Sequence, residues 1–180
     1  MKLQGYKIMM FVLTTVLFLT VSFVYAETAE EYVERGSANY KQGNFTQAIL
    51  DFTKAIEINP NDAQAYNNRG LAYFKQDDLP QAISDCTKAI EINPDNADAY
   101  FSRGLAYAKQ DNLLQAIADY TKAIEINPSF IKAYNNRGVA YYAAKEYDKA
   151  WQDVHKAEEL GFVVNPNFLD ALKKESARDK

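Results

Sequence analysis

Side chains that do acid–base, nucleophilic or metal chemistry are nearly absent from this sequence. It holds one histidine, His155, and one cysteine, Cys86. A lone cysteine permits no internal disulfide and no cysteine-based zinc cluster. There is no glycine-rich phosphate loop, no histidine–acid–serine set and no metal-ligand spacing, so the reading is a non-enzyme without a cofactor. His155 reads as a surface or half-buried residue, and Cys86 as a buried apolar filler. What recurs instead is charge. Arg35, Arg69, Arg103 and Arg137 stand 34 residues apart, and Asp51, Asp85, Asp119 and Asp153 each follow their arginine by sixteen. Both series fall on faces that otherwise look inward, where pairing offsets the cost of burying a charge. A ladder of Arg–Asp pairs tying layers together is one reading, and arginines that grip an acidic ligand are the other. Glu57, Glu91 and Glu125 recur beside Lys54, Lys88 and Lys122 at helical spacing, which reads as a solvated face. The 180 residues carry 20 Lys plus Arg against 24 Asp plus Glu, a net charge of −4. Neutralising phosphates takes a clustered basic surplus, so this balance argues against a nucleic-acid partner. The apolar share of 48% is ample for a packed core and argues against wholesale disorder.

The elements that must position these residues keep the same period. Gly36, Gly70, Gly104 and Gly138 obey it, as do Ala48, Ala82, Ala116 and Ala150. Ala55, Ala89, Ala123 and Ala157 follow, and Pro60, Pro94 and Pro128 close three of the four units. A repeat of this kind fixes the architecture before any local detail. Within one unit the apolar step is helical: Tyr66, Gly70, Tyr73 and Phe74, then Ala82, Ile83, Cys86, Ala89 and Ile90. The breakers from Gln76 to Pro80 separate the two stretches, with Pro80 suited to a first helical turn. Asn93-Pro94 ends the second stretch, because the residue before proline is pushed out of the helical region. The pattern predicts first helices near 29–42, 63–76, 97–110 and 131–144, and second helices near 46–58, 80–92, 114–126 and 148–160. Gly70 against Ala82 lets the two backbones approach closely, and Ala89 lets the next unit dock. One hairpin cannot bury its own apolar faces, so neighbours must stack.

These residues resemble the tetratricopeptide repeat family. The matching runs are Tyr66, Gly70, Tyr73, Ala82, Cys86, Ala89 and Pro94, and Tyr100, Gly104, Tyr107, Ala116, Tyr120, Ala123 and Pro128. The sequence departs from the family pattern at Asn39, where tyrosine is preferred, at Val154 in the aromatic slot, and at Phe162 in place of proline. All four units carry arginine where the family has leucine. The resemblance covers about 29–162 and implies an all-α fold, a right-handed α-solenoid of four helix-turn-helix units at 29–62, 63–96, 97–130 and 131–164. A C-terminal capping helix at 167–177 is expected to cover the open end of the stack, with Asn167 as its cap and Phe168, Leu169 and Leu172 on one face.

In that family the first helix of each unit lines a concave groove. The resemblance places there Tyr40 and Lys41 from the first unit, and Asn67, Asn68, Leu71, Phe74 and Lys75 from the second. The third adds Phe101, Leu105 and Lys109, and the fourth Asn135, Asn136 and Tyr142, with Val33, Ser37, Ser102 and Val139 beside them. Apolar side chains facing a cleft suit an apolar ligand surface. Asparagine amides offer donor and acceptor to a peptide backbone. Lys41, Lys75 and Lys109 form a positive line. The implied function is an adaptor that binds a protein or peptide partner as an extended or helical segment. Chaperone-binding members of the family clamp a C-terminal carboxylate with basic side chains. Here Asn68 suits the amide part of such a clamp, but Val33, Phe101 and Ser102 stand where basic groups belong. The alternative is an accessory or regulatory subunit of an envelope enzyme or assembly machine, docking through its convex face or C-terminal helix.

Residues 1–26 read as an address. Lys2 and Lys7 precede an apolar run from Ile8 to Val24, and Val24-Tyr25-Ala26 offers a cleavage site. The expectation is a signal peptide and export to the periplasm or beyond. The run of 17 residues also reaches the lower bound for spanning a bilayer. An uncleaved anchor is therefore the alternative, and the one case in which a membrane is a partner.

Overall fold

Caps and breakers decide where this chain turns. The computed structural model describes residues 27–178 and places in them helices α1 (Ala29–Lys41), α2 (Phe45–Ile58), α3 (Ala63–Lys75), α4 (Leu79–Ile92), α5 (Ala97–Lys109), α6 (Leu113–Ile126), α7 (Ile131–Ala143), α8 (Tyr147–Glu159) and α9 (Pro166–Arg178). Each bound falls within one residue of the sequence expectation. The signal-peptide or anchor reading of residues 1–26 lies outside the described residues. Among the described residues there is no strand, and no helix is long and apolar enough to cross a membrane.

Polar side chains start the helices. Thr28 and Glu31 form a reciprocal capping box at α1, Asp62 accepts from the N–H groups of Gln64 and Ala65 at α3, and Asn96 accepts from Ala99 at α5. Phe130 holds the same place before α7 with no side-chain cap bond. The Asn-Pro steps do more than stop a helix. The carboxamide oxygens of Asn59, Asn93 and Asn127 accept the N–H two residues on, at 3.2, 3.1 and 3.1 Å, closing Asx turns that redirect the chain into the next unit. Inside each unit the turn passes through a left-handed residue: Gly43, Asp77, Asp111 and Lys145, at φ 81, 66, 60 and 62°. Glycine adopts that conformation without the steric cost the other three carry.

The helices pack in sequential pairs, and each second helix packs on the first helix of the following unit. The alanines at the expected contacts are buried, from Ala48, Ala82, Ala116 and Ala150 within units to Ala55, Ala89, Ala123 and Ala157 between them. A Cβ at Gly70 would lie 3.2 Å from the Ala82 carbonyl oxygen, the close approach that the sequence required. The stack ends on α9, whose Leu172 is fully buried with Val164 against Ala150, Val154 and Ala157. Trp151 Nε1 donates to Ser176 Oγ at 3.3 Å and ties α8 to α9. The cap of α9 differs from the expectation. Asn165, not Asn167, accepts the Asn167 N–H at 2.9 Å, and the helix begins at Pro166, whose fixed φ suits a first helical position.

Candidate functional site

The arginine series is consumed by the fold. Arg69 donates to Asp85 through Nε and Nη2 at 2.7 and 2.8 Å. Arg103 grips Asp119, and Arg137 grips Asp153, through the same two nitrogens at 2.8 Å each. The four aspartates are buried. Each pair joins the two helices of one unit, which corrects the reading of Arg–Asp pairs as ties between layers. The tie between layers is the third bond. Nη1 of Arg69, Arg103 and Arg137 donates to Thr53, Thr87 and Thr121 of the preceding unit at 3.0, 3.1 and 3.0 Å. Arg35 has no preceding unit among the described residues, and Glu27 takes the place of the threonine beside its Asp51 partner. Tyr100 and Tyr107 flank the Arg103 guanidinium, as Tyr134 and Tyr141 flank that of Arg137. The hydrogen bond to Asp119 holds the Arg103 pKa above its usual value despite burial, which alone would lower it. With three nitrogens engaged and two tyrosine rings beside each, the Arg103 and Arg137 guanidinium groups serve the core.

The first helices line a trough instead. One depression, of about 180 Å³, is bounded by Ser37, Tyr40, Lys41, Asn68, Leu71 and the edge of Phe52. A second, of about 330 Å³, has Leu71, Phe101 and Phe130 as apolar lining, Asn67, Asn68, Gln64 and Ser102 as polar lining, and Asp98 and Lys132 beside them. Asn68 and Leu71 line both, so the two depressions are neighbours on either side of these residues. Phe101 and Phe130 meet at 4.9 Å between ring centroids, and Phe101 also meets the buried Tyr120 at 5.8 Å. Phe130, standing where Asp62 and Asn96 cap α3 and α5, thus exchanges a helix cap for an aromatic wall. Asn68 Oδ1 accepts from Gln64 Nε2 at 2.8 Å, which leaves the amide nitrogen of Asn68 as the free donor.

The expected groove residues divide. Tyr40, Lys41, Asn67, Asn68, Leu71 and Phe101 line the depressions. Asn67 is nevertheless only 2% exposed, and its Oδ1 accepts from the Cys86 thiol at 4.0 Å, so Asn68 presents the more open amide. Leu105 packs against the Ala116–Tyr120 cluster, and Asn135 and Asn136 lie farther along the stack, outside both depressions. The positive line is broken. Lys109 pairs with Asp77 at 2.8 Å and lies 5.3 Å above the Phe74 ring, so both Lys109 and Phe74 join units two and three. Lys75 remains exposed. Tyr142 is covered by α9, edge-on to Phe168 at 5.5 Å, and belongs to the end cap rather than to an open groove. Gln64, Asp98 and Lys132, which share one register position, also line the second depression and were not among the expected residues. His155 is exposed and stacks on Trp151 at 5.4 Å, away from the trough.

Family models described as TPR repeat and tetratricopeptide repeat match residues 36–77, 63–96, 97–130 and 119–152. No curated protein matches the chain. Among solved structures, a crystal structure of MamA is similar at 31% identity and a TM-score of 0.71, covering 79% of this chain and 84% of that one. The first TPR domain of Spaghetti (RPAP3), solved with the HSP90 peptide SRMEEVD, is similar at 30% identity and a TM-score of 0.64, covering 66% and 94%. The Arabidopsis OM64 TPR domain is similar at 32% identity and a TM-score of 0.61, covering 62% and 93%. Period, helix pairing, glycine–alanine contacts and these matches agree: the chain belongs to the tetratricopeptide repeat family.

Proposed function

We propose that this chain is a non-catalytic adaptor that holds a segment of a partner protein in the trough of its first helices. The observation that carries the reading is the pair of neighbouring depressions on the first helices that share Asn68 and Leu71, with apolar lining and the Asn68 amide nitrogen between them. The similar RPAP3 domain holding a peptide supports a peptide as the occupant. A clamp for a terminal carboxylate is not the mode read here, because Val33, Phe101 and Ser102 stand where basic side chains would be needed. Capture with the full chain from its native envelope, followed by mass spectrometry, tests the reading. Leu71→Glu and Asn68→Ala should lose the partner with melting unchanged, and removal of 166–178 should not. The reverse pattern would favour docking through the tail helix instead.

Export is part of the same proposal. It rests on the basic start, the apolar run and the small-residue exit of residues 1–26. N-terminal sequencing of the cell-envelope form should read from Glu27. A start at Met1 in a membrane fraction would make the segment an anchor.

A further inference from the structure

One turn carries chemistry that its counterparts lack. In a shared register the turns inside the four units present Asn44-Phe45-Thr46, Asp78-Leu79-Pro80, Asn112-Leu113-Leu114 and Glu146-Tyr147-Asp148. The first alone has an asparagine followed two residues on by a hydroxyl, the acceptor pattern for N-linked glycans on exported chains. Asn127-Pro128-Ser129 is the other place in the sequence with that spacing, and its intervening proline excludes it.

A three-residue pattern recurs by chance, so its surroundings decide whether the amide can carry a sugar. Asn44 and Thr46 are exposed, while Phe45 between them is half-buried, its ring 5.4 Å from that of Tyr40. Packing of the middle residue anchors the turn and leaves the amide and the hydroxyl outside. Asn44 stands at the start of α2, yet its side chain makes no cap hydrogen bond, whereas Asp62, Asp78 and Asn96 each commit theirs. Its amide nitrogen donates to Gln42 Oε1 at 3.3 Å, a long contact between exposed groups. With Gly43, Gln47 and Gln76, the three residues line an open depression of about 400 Å³, and a Cβ on Gly43 would meet nothing within 4 Å. A bulky group on Asn44 therefore has room and displaces no helix cap.

Resting on the export reading, we infer that Asn44 is the acceptor of an N-linked glycan, with Thr46 completing the pattern that the transferase recognises. The donor is a lipid-pyrophosphate-linked oligosaccharide. Asn44 Nδ2 attacks the anomeric carbon, the new N–C bond forms as the carbon–oxygen bond to pyrophosphate breaks, and the lipid pyrophosphate leaves. One amide proton passes to a base of the transferase. The product is a bulky, hydrated group on the turn of the first unit.

Trypsin, cutting after Lys41 and Lys54, frees residues 42–54 of the natural chain as one peptide. Mass spectrometry should find it heavier by a series of hexose and N-acetylhexosamine masses, carried on Asn44. Asn44→Gln and Thr46→Ala, produced in the same host, should each lose the added mass and still unfold cooperatively. Thr46→Ser, which keeps the hydroxyl, should retain it. A bare peptide from a chain that begins at Glu27 overturns the glycan and leaves export standing. A bare peptide from a cytosolic chain that begins at Met1 sinks both. Added mass that survives Thr46→Ala also overturns the inference, because the hydroxyl then plays no part.

Discussion

In units one and three the slot beside the recurring glycine is filled by a ring, Phe52 or Tyr120, whereas units two and four place Cys86 or Val154 there. The first-helix residue in register changes with it, from Val33 and Phe101 to Asn67 and Asn135. The backbone repeats, but the packing alternates. A Cβ at Gly36 or Gly104 would come within 2.7 Å of a ring carbon and one at Gly70 within 2.8 Å of the Cys86 sulfur, while at Gly138 the nearest atom is Asp153 Cβ at 3.3 Å. Odd units gain apolar volume, and Phe52 and Phe101 join Leu71 of unit two in lining the trough. Even units trade volume for amides, and in unit two the Cys86 thiol donates to the buried Asn67 Oδ1 at 4.0 Å. A solenoid built of near-identical units can thus vary its binding surface by changing two residues per unit without disturbing the stack.

Converting one kind of unit into the other should have the largest effect. Tyr120→Cys removes a buried ring and should cost ~3–5 kcal/mol in urea unfolding. Adding Phe101→Asn recreates the unit-two pair, so the double variant should lose less than the sum of the singles by ~0.5 kcal/mol or more. Strict additivity would break the idea that the two positions exchange as a pair. Next come the glycines. Gly104→Ala should destabilise by ~1–3 kcal/mol through overpacking, less ~1 kcal/mol regained from helix propensity. Gly138→Ala, whose methyl would lie 3.3 Å from Asp153 Cβ and 3.4 Å from the Ala150 carbonyl oxygen, should cost less than Gly104→Ala in thermal unfolding.

Alkaline titration sharpens the contrast between Cys86 and Val154. Burial pushes the Cys86 thiol up to about 12 from 9.0. A folded-state value above the unfolded one gives a stabilising contribution that is full below pH 9.0 and is lost as pH rises toward about 12. The difference in melting temperature between the natural chain and Cys86→Val should therefore shift against the natural chain above pH 9.0, and stay constant below it. Smallest is Lys109→Ala, which removes the half-exposed link to Asp77 and Phe74 and should cost less than ~1 kcal/mol.

Much of the fold was legible because the signals were local. Asn93-Pro94, the glycine–alanine contacts and the helical apolar step each act within a few residues, and the 34-residue register multiplied each signal through the chain. The trough was legible in part. Tyr40, Asn68, Leu71 and Phe101 were placed by the family resemblance, which assigns the trough to the first helices. Gln64, Asp98 and Lys132 occupy one shared register position and were within reach of the same reasoning. Phe130 was not, because it sits before its helix, and its reach to Phe101 depends on how two units meet. Lys109 and Tyr142 have groove positions by phase, yet Asp77 from a neighbouring turn and Phe168 from the tail helix engage them.

The sequence alone determined that the chain folds as stacked helical hairpins, because helix breakers, caps and the absence of a side chain at Gly70 act on the backbone that carries them. Which arginine nitrogen reaches across to Thr87, which lysine is neutralised and which depressions share Leu71 as a wall were decided only in the tertiary structure. Those outcomes depend on distances between side chains of different units, and no spacing along the chain specifies them.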